Sequence, residues 1–473
     1  MNKPNDETLL DFSVLLKSVS GICISEKKSN IFFSSVATDS RLVEKNSLFV
    51  PLIGENQNGH KYIPSAIEKG ASIIFVEQAE YEAKKAEYDA LSLASAAAFV
   101  IVKNNLYALQ AAAAAYVNRF QNLIKVGVTG SSGKTTTKEL LVALLSQKYC
   151  VIANEGNLNS ETGLPLSVFK IRKEHEVGVF EMGMNRVGEI GELSRVLRPK
   201  YAVITNIGTA HIGILGSRQN IAIEKKQIFS NFTGNETAFV PQNDDFADFL
   251  CENVQGKVEK YGSDDSEIQF GEDCGLAGVR FFVRGVEMTL SLPGIYNYRN
   301  ACAAVRVALD LGVSPKQIKA GIEGIKPIFG RSQVLFGTYT IVQDCYNANP
   351  DSMEKSVDFF ASVKSPKKKI FVLGDMLELG AESEAEHSRV GTLIAQKKAD
   401  LVIFIGNEMR YAFESAKKSA PNANLLYFAG KDDGIIAEAA VAIKNFANDG
   451  DLILLKASRG IGLERLTKLL TGS

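Results

Sequence analysis

The sequence predicts an α/β protein of three domains: a small N-terminal α/β domain, a central phosphate-loop domain with a mainly parallel sheet, and a C-terminal Rossmann-like domain. Three observations support this. The 473 residues correspond to about three units at ~150 residues per domain. Short apolar, β-branched runs alternate with longer helical patterns, as in parallel sheets covered by helices. A glycine-rich loop follows one of these runs directly and opens a helix.

Residues 1–105 are the least regular. Strand-like I-F-F-S-S-V-A-T and S-L-F-V-P-L precede a helix around Pro64 to Lys69 and a strand A-S-I-I-F-V-E. Residues 106–328 form the second unit. An alanine-rich helical segment, Leu106 to Phe120, leads into K-V-G-V-T, and the glycine loop V-T-G-S-S-G-K-T-T-T follows. The next helix carries Leu140, Leu141, Leu144 and Leu145 on one face, which suits packing on a sheet. Strands are expected at C-V-I-A-N, V-G-V-F-E-M and Y-A-V-I-T-N. Residues 329–473 supply five more strand candidates between helices: T-I-V-Q-D, K-I-F-V-L-G-D, L-V-I-F-I-G, L-L-Y-F-A and D-L-I-L-L-K. That alternation reads as Rossmann-like, and the turn F-G-R-S (Phe329 to Ser332) is a candidate hinge.

Composition excludes several function classes. Lys+Arg 53 against Asp+Glu 54 gives a net charge of -1, so no global basic field draws the chain onto nucleic acid. No stretch reaches the ~20 apolar residues of a membrane span, and the longest mostly apolar run, Leu93 to Val102, stops short. The start M-N-K-P-N-D-E-T lacks the apolar core of a signal peptide, so a cytosolic protein is expected. The six cysteines are scattered without a C-x-x-C pair, and the four histidines form no H-E-x-x-H motif. Any metal should therefore meet oxygen ligands.

In the glycine loop, Gly130 and Gly133 let successive N–H groups of Ser131, Ser132, Lys134, Thr135 and Thr136 turn toward phosphate oxygens at a helix N-terminus. Lys134 neutralises phosphate charge, and the Thr135 hydroxyl can reach a magnesium ion. The strict G-x-x-x-x-G-K-[ST] pattern is not met, because Val128 stands where the first glycine would. Glu181 ends a buried strand at its carboxyl end, where ligand-facing residues of open α/β sheets sit. Viewed alone it reads equally as an exposed strand-end carboxylate. His211 follows another strand end and would converge on the same crevice. Lys225, one of two adjacent lysines on a helix, reads from composition as no more than a solvated face.

Taken in order, T-G-S-S-G-K-T-T-T, E-G-N-L-N-S-E-T-G-L-P-L, E-M-G-M-N, N-I-G-T-A-H, G-I-Y-N-Y-R-N-A and G-R-S resemble the Mur ligases of peptidoglycan synthesis over nearly the whole chain. D-C-Y-N-A-N-P-D-S-M (Asp344 to Met353) and L-G-D-M-L-E-L-G (Leu373 to Gly380) resemble the branch that adds a dipeptide. The resemblance implies a ligase whose N-terminal domain holds a UDP-sugar-peptide, whose central domain uses ATP, and whose C-terminal domain closes over both. The implied substrates are UDP-N-acetylmuramoyl-tripeptide and D-alanyl-D-alanine, joined through an acyl phosphate.

It further implies two magnesium ions, one held by Thr135 and Glu181, the other by His211 and a carbamylated Lys225. Carbon dioxide converts that lysine from a cation into a carboxylate, and the register K-x-x-I-F selects Lys225 over Lys226. Asn297, Arg331, Asp344 and Tyr346 are the implied adenine, ribose and phosphate contacts. Ser40 and Arg41, in T-D-S-R, are implied for the uridine nucleotide, and Asn159 and Thr162 for the muramoyl peptide. Asn347, Asn349 and Asp375 are the candidates for the dipeptide, and a monomer is expected. Two other readings are a sister ligase adding a single amino acid, or glutamate to a folate, and a nucleotide-binding regulator that has kept the loop without catalysis. The downstream strings separate the first from the dipeptide reading, and a full metal apparatus would be superfluous in the second.

Overall fold

The computed structural model describes residues 8–25, 31–262 and 265–471. The stretch on which the absence of a signal peptide was read therefore lies almost entirely outside the described residues. The N-terminal sheet comprises β1 (Ile22–Cys23), β2 (Ser35–Ala37), β3 (Ser47–Phe49), β4 (Ile73–Glu77) and β5 (Ala98–Val102) in the order β1-β5-β4-β3-β2. Only the short β1 runs antiparallel to its neighbour. Phe75 and Phe99 are fully buried in this sheet.

The helix Asn105–Val117, capped by the Asn104 side chain, leads into the central sheet of β6 (Ile124–Thr129), β7 (Val151–Ala153), β8 (Val177–Glu181), β9 (Tyr201–Ile204), β10 (Thr237–Pro241) and β11 (Lys257–Tyr261). Its order is β11-β10-β9-β6-β8-β7, and every pairing is parallel. The chain moves from β6 to one side to form β7 and β8, then crosses to the other side for β9. The carboxyl ends of β6, β8 and β9 thus flank a topological switch point, where open α/β sheets bind ligands. Leu140, Leu141, Leu144 and Leu145 are fully buried with Val126, Val128, Val177 and Val179, so the expected packing of that helix on the sheet is observed. Alternation did not foretell the antiparallel sheet of β12 (Ile268–Asp273), β13 (Val279–Val283) and β14 (Val286–Leu290).

The C-terminal sheet contains β15 (Gln333–Phe336), β16 (Thr340–Asp344), β17 (Lys369–Gly374), β18 (Leu401–Ile405), β19 (Leu425–Phe428) and β20 (Leu452–Lys456), ordered β15-β16-β20-β17-β18-β19. All five expected strands form, and β15 adds an antiparallel edge. The turn before it is left-handed at Gly330 (φ 66°) and Ser332 (φ 50°). Tyr346 N donates to Gly330 O at 3.1 Å, which ties the turn to the stretch that follows β16. Among the described residues no helix is long and apolar enough to cross a membrane.

Candidate active site

The ends of β6, β8 and β9 face the carboxyl ends of β16 and β20 across a cavity of about 950 Å³, large enough for a nucleotide and part of a second substrate. The glycine loop forms its floor. At Gly130 (φ 149°) a Cβ would lie 1.8 Å from Thr205 Oγ1, and at Gly133 (φ 79°) one would lie 2.4 Å from Asn300 Oδ1, so both positions demand glycine. Thr205 and Asn206, just past β9, brace the loop. Thr205 Oγ1 donates to Ser132 O at 2.6 Å, Ser132 N donates to Asn206 Oδ1 at 3.1 Å, and Ser131 N donates to Asn206 O at 3.0 Å. The N–H groups of Ser131 and Ser132 are thereby engaged within the protein. The unpaired donors belong to the first turn of the helix Lys134–Leu145, where an anion is favoured.

Lys134 Nζ donates to Gly130 O at 2.8 Å. Burial and the neighbouring Arg331 hold this lysine below its usual pKa range, partly offset by Glu181 and Glu378. Glu181 is 3% exposed. Its Oε1 accepts from Asn159 Nδ2 at 2.7 Å, and Asn154 clamps its backbone from both sides. Glu181 Oε2 is buried with no hydrogen-bond partner among the described residues. A buried carboxylate oxygen left over in this way suits a hard cation. No cluster of three His, Cys, Asp or Glu residues closes a metal site by itself among the described residues, so a cation here would depend on substrate oxygens and water, as magnesium at phosphate sites does.

His211 adopts a left-handed backbone (φ 65°), a strained conformation of the kind that collects at functional sites. Its Nδ1 lies 3.1 Å from Glu378 Oε2 but is not aligned for a hydrogen bond. Burial, with the charges of Lys134 and Lys225, lowers its pKa against the pull of Glu378, leaving a neutral imidazole able to offer a lone pair. Lys225 sits in the helix Arg218–Lys226 and is 1% exposed. No carboxylate lies within ion-pair distance of it among the described residues, because the preceding Glu224 is spent on the N–H groups of Gly188 and Ile190. Burial and the charge of Lys134 push Lys225 well below the usual lysine range, in the direction of the neutral amine with which carbon dioxide reacts. Lys226 turns away and donates to Phe249 O at 2.5 Å.

The C-terminal half closes the cavity. Arg331 Nη2 donates to Thr135 Oγ1 at 3.1 Å, and its guanidinium stacks 4.3 Å above the Tyr346 ring. Tyr346 OH donates to Asn157 Oδ1 at 3.1 Å. Asn349 caps the helix Pro350–Ser362 in a capping box with Ser352 and reaches Ser131 O at 3.5 Å. Asn297 lines the opposite wall, its Nδ2 donating to Pro293 O at 2.8 Å. Asn159 and Asn347 also line the cavity.

Asp344 lines the cavity as well, but its carboxylate is occupied. Lys456 Nζ donates to Oδ2 at 2.8 Å, Ser356 Oγ donates to Oδ2 at 2.5 Å, and Ser332 N donates to Oδ1 at 3.2 Å. Although burial opposes it, the Lys456 charge holds Asp344 below the usual carboxylate range.

Four named candidates, Ser40, Arg41, Thr162 and Asp375, stand away from the cavity, and so does His60 in the turn Asn58-Gly59-His60. Ser40 is buried in a short turn beside the exposed Arg41, whose guanidinium pairs with Asp39 at 2.6 Å. Thr162 precedes the helix Gly163–Val168 without a side-chain cap bond. Asp375 accepts from the N–H groups of Asn407 (3.0 Å) and Met409 (2.8 Å) and holds the turn after β18. His60, in N-G-H, is buried. Its Nε2 accepts from Glu77 N at 3.1 Å, and its Nδ1 pairs with Asn58 Oδ1 at 2.7 Å.

Among the lining residues that escaped the sequence reading, three stand next to candidates. Asp351 accepts from the N–H and, at 2.8 Å, the Oγ1 of Thr209. Glu378 and Lys456 are the others. Asp351 and Glu378 lie inside the quoted strings, whereas Lys456 carried no signal beyond ending a strand.

Three family models cover most of the chain: the Mur ligase family catalytic domain at residues 33–117, the Mur ligase middle domain at 128–308, and the Mur ligase glutamate ligase domain at 330–459. A Treponema pallidum protein named UDP-N-acetylmuramoyl-tripeptide--D-alanyl-D-alanine ligase is 41% identical, with 98% of this chain and 99% of that one covered. A crystal structure of MurF from Acinetobacter baumannii superposes with a TM-score of 0.85 at 28% identity, over 98% of both chains. MurF from Thermotoga maritima in complex with ADP gives 0.76 at 26% identity, over 94% of this chain and 98% of that one. A cavity of this geometry and a likeness that runs through three family models lead to one conclusion: the chain belongs to the Mur ligase family.

Proposed function

We propose that the chain is the ligase that joins D-alanyl-D-alanine to UDP-N-acetylmuramoyl-tripeptide at the cost of ATP, working in the cytoplasm with residues 1–105 holding the UDP end. The terminal carboxylate of the tripeptide attacks the γ-phosphorus, giving an acyl phosphate and ADP. The dipeptide amine then attacks the acyl carbon, forming the amide and releasing phosphate.

Bringing a carboxylate to a triphosphate sets two anions side by side, so catalysis is mainly charge neutralisation and positioning. Lys134 and the first turn of its helix hold the phosphates. Arg331 crosses from the far side of the cavity to the Thr135 hydroxyl, where it can join them once the cavity is closed. Glu181 and Thr135 would hold one magnesium ion, and His211 with carbamylated Lys225 a second; bound there, the ions neutralise charge on the transferring phosphoryl group. Asn159 fixes the Glu181 carboxylate.

The observation that carries the reading is the meeting of the two downstream strings with the phosphate end of one cavity. Asn349 and Asp351 contact the glycine loop and the loop after β9, and Glu378 stands beside His211. The name of the relative at 41% identity agrees with it. The test is to supply ATP, magnesium and UDP-N-acetylmuramoyl-tripeptide with either D-alanyl-D-alanine or single amino acids, following ADP release and product mass. Release with a single amino acid but not with the dipeptide would overturn the assignment in favour of a sister ligase.

A further inference from the structure

Six carboxylates line the cavity among the described residues: Glu181, Asp244, Asp245, Asp344, Asp351 and Glu378. Five are committed. Glu181 takes Asn159 and would serve the cation. Asp244 accepts from the N–H groups of Ile207 and Phe246, Asp245 pairs with Arg218 at 2.9 Å, Asp344 holds Lys456, and Asp351 holds Thr209. Glu378 is different. Its side chain is 55% exposed, its Oε2 lies 3.1 Å from His211 Nδ1, and among the described residues no other side chain forms an ion pair with it.

The loop that carries Glu378 is fastened on every side. Before it, the Asp375 carboxylate grips the turn after β18, Met376 N donates to buried His387 Nε2 at 3.1 Å, and Leu377 N donates to Ser458 Oγ at 2.9 Å. Met376 and Leu379 are buried on either side of it. Leu379 lies so close to the turn after His211 that a Cβ on Gly213 would come within 2.6 Å of its carbonyl carbon. Glu378 itself is left-handed (φ 66°), a conformation that costs a non-glycine residue free energy and persists where the surroundings impose it. The loop is built to present one carboxylate to the cavity.

Resting on the ligase reading above, we infer that Glu378 is the subsite for the ammonium group of the incoming dipeptide. Seven Lys and Arg side chains line the cavity, and a cationic amine approaching the acyl phosphate among them meets repulsion unless a free carboxylate receives it. Glu378 is that carboxylate, next to His211 and within the field of Lys134. The neighbouring loop adds the complementary charge. Ser458 binds Leu377 N, a Cβ on Gly460 would lie 3.0 Å from Leu377 Cδ1, and Arg459 between them lines the cavity, its side chain half-exposed and its Nη1 3.1 Å from Glu464 Oε1. Glu378 and Arg459 thus offer an anion and a cation to the two ends of a zwitterion.

The test separates the two half-reactions in Glu378→Gln. Hydroxylamine, a neutral nucleophile at neutral pH, traps the acyl phosphate without needing an ammonium subsite. Trapping from ATP and the tripeptide should persist and fall far less than use of the dipeptide, which also shows that the variant is folded. The KM for D-alanyl-D-alanine should rise roughly 10- to 100-fold, the loss of one charge-assisted contact, with Glu378→Asp between the two. An unchanged dipeptide KM overturns the inference. So does a parallel fall in trapping or a raised magnesium requirement, which would put Glu378 on the phosphoryl side. If wild-type protein neither traps nor releases ADP, the ligase reading itself fails and the ammonium subsite falls with it.

Discussion

Asp351 and Gly208 meet from opposite sides of the cavity, and changing either should disable the closed arrangement without unfolding the chain. Asp351 Oδ2 accepts from the N–H and hydroxyl of Thr209, and a Cβ on Gly208 would sit 2.2 Å from that same oxygen. Hydrogen bonds to a charged acceptor are worth ~1.5–3 kcal/mol each, and water recovers part of that when the contact opens. Asp351→Ala should therefore shift the closure equilibrium by about 2–3 kcal/mol, roughly 30- to 150-fold. Since product forms in the closed arrangement, kcat/KM should fall by that factor.

Gly208→Ala attacks the same contact by collision. Gly208 needs no left-handed backbone, so its open form should melt like wild type while activity drops comparably. The double variant is the decisive case. Once Asp351 is truncated the new methyl has nothing to strike, so the pair should be no worse than Asp351→Ala alone, a strong departure from additivity. Additive losses, or wild-type activity in Gly208→Ala, would refute the closure contact.

Other consequences follow from individual residues. Lys225→Ala should lose activity by roughly 10²-fold or more, as for removal of a charged group at a phosphoryl-transfer centre, and a small carboxylate should restore part of it; wild-type turnover would contradict the carbamate. Asp344→Ala leaves Lys456, 3% exposed, as an unpaired buried cation, and should cost about 3–5 kcal/mol in denaturant unfolding of the C-terminal sheet. Exchanging both residues for apolar ones should return most of that. Burial depresses the His60 pKa below 6.5, so the unfolded chain takes up this proton first as pH falls. The His60 contribution is therefore fully present above pH 6.5 and is lost as pH drops through the folded value. Wild type should lose more melting temperature between pH 7.5 and pH 5.5 than His60→Gln does.

The parallel sheets were legible because buried strands such as V-G-V-F-E and L-V-I-F-I are mostly apolar runs bounded by helical periodicity, a pattern with few other solutions. The sheet of β12–β14 was not, since β12 exposes most of its residues and its register bulges between Phe270 and Glu272, which blurs the alternation. At the site, residues tied to backbone geometry were readable: Gly130 and Gly133 bend the loop, and Glu181 ends a strand at the switch point. Residues whose meaning depends on a partner far along the chain were not. Lys456 acquires its role only through Asp344, 112 residues earlier. Burial distinguishes Lys225 from Lys226, and nothing in a pair of adjacent lysines announces which faces inward. His60 and Asp375 show the reverse, polar groups in motif-like turns that fold inward to hold backbone N–H groups.

The central claim, that the cavity moves a phosphoryl group onto the tripeptide carboxylate before the amine arrives, is tested most directly by following an oxygen atom. With both oxygens of that carboxylate replaced by heavy oxygen, one turnover with D-alanyl-D-alanine should release phosphate carrying one labelled oxygen, because the acyl carbon–oxygen bond breaks as the amide forms. Phosphate free of label, alongside labelled product, would contradict the acyl phosphate and with it the roles given to Lys134, Glu181 and Lys225.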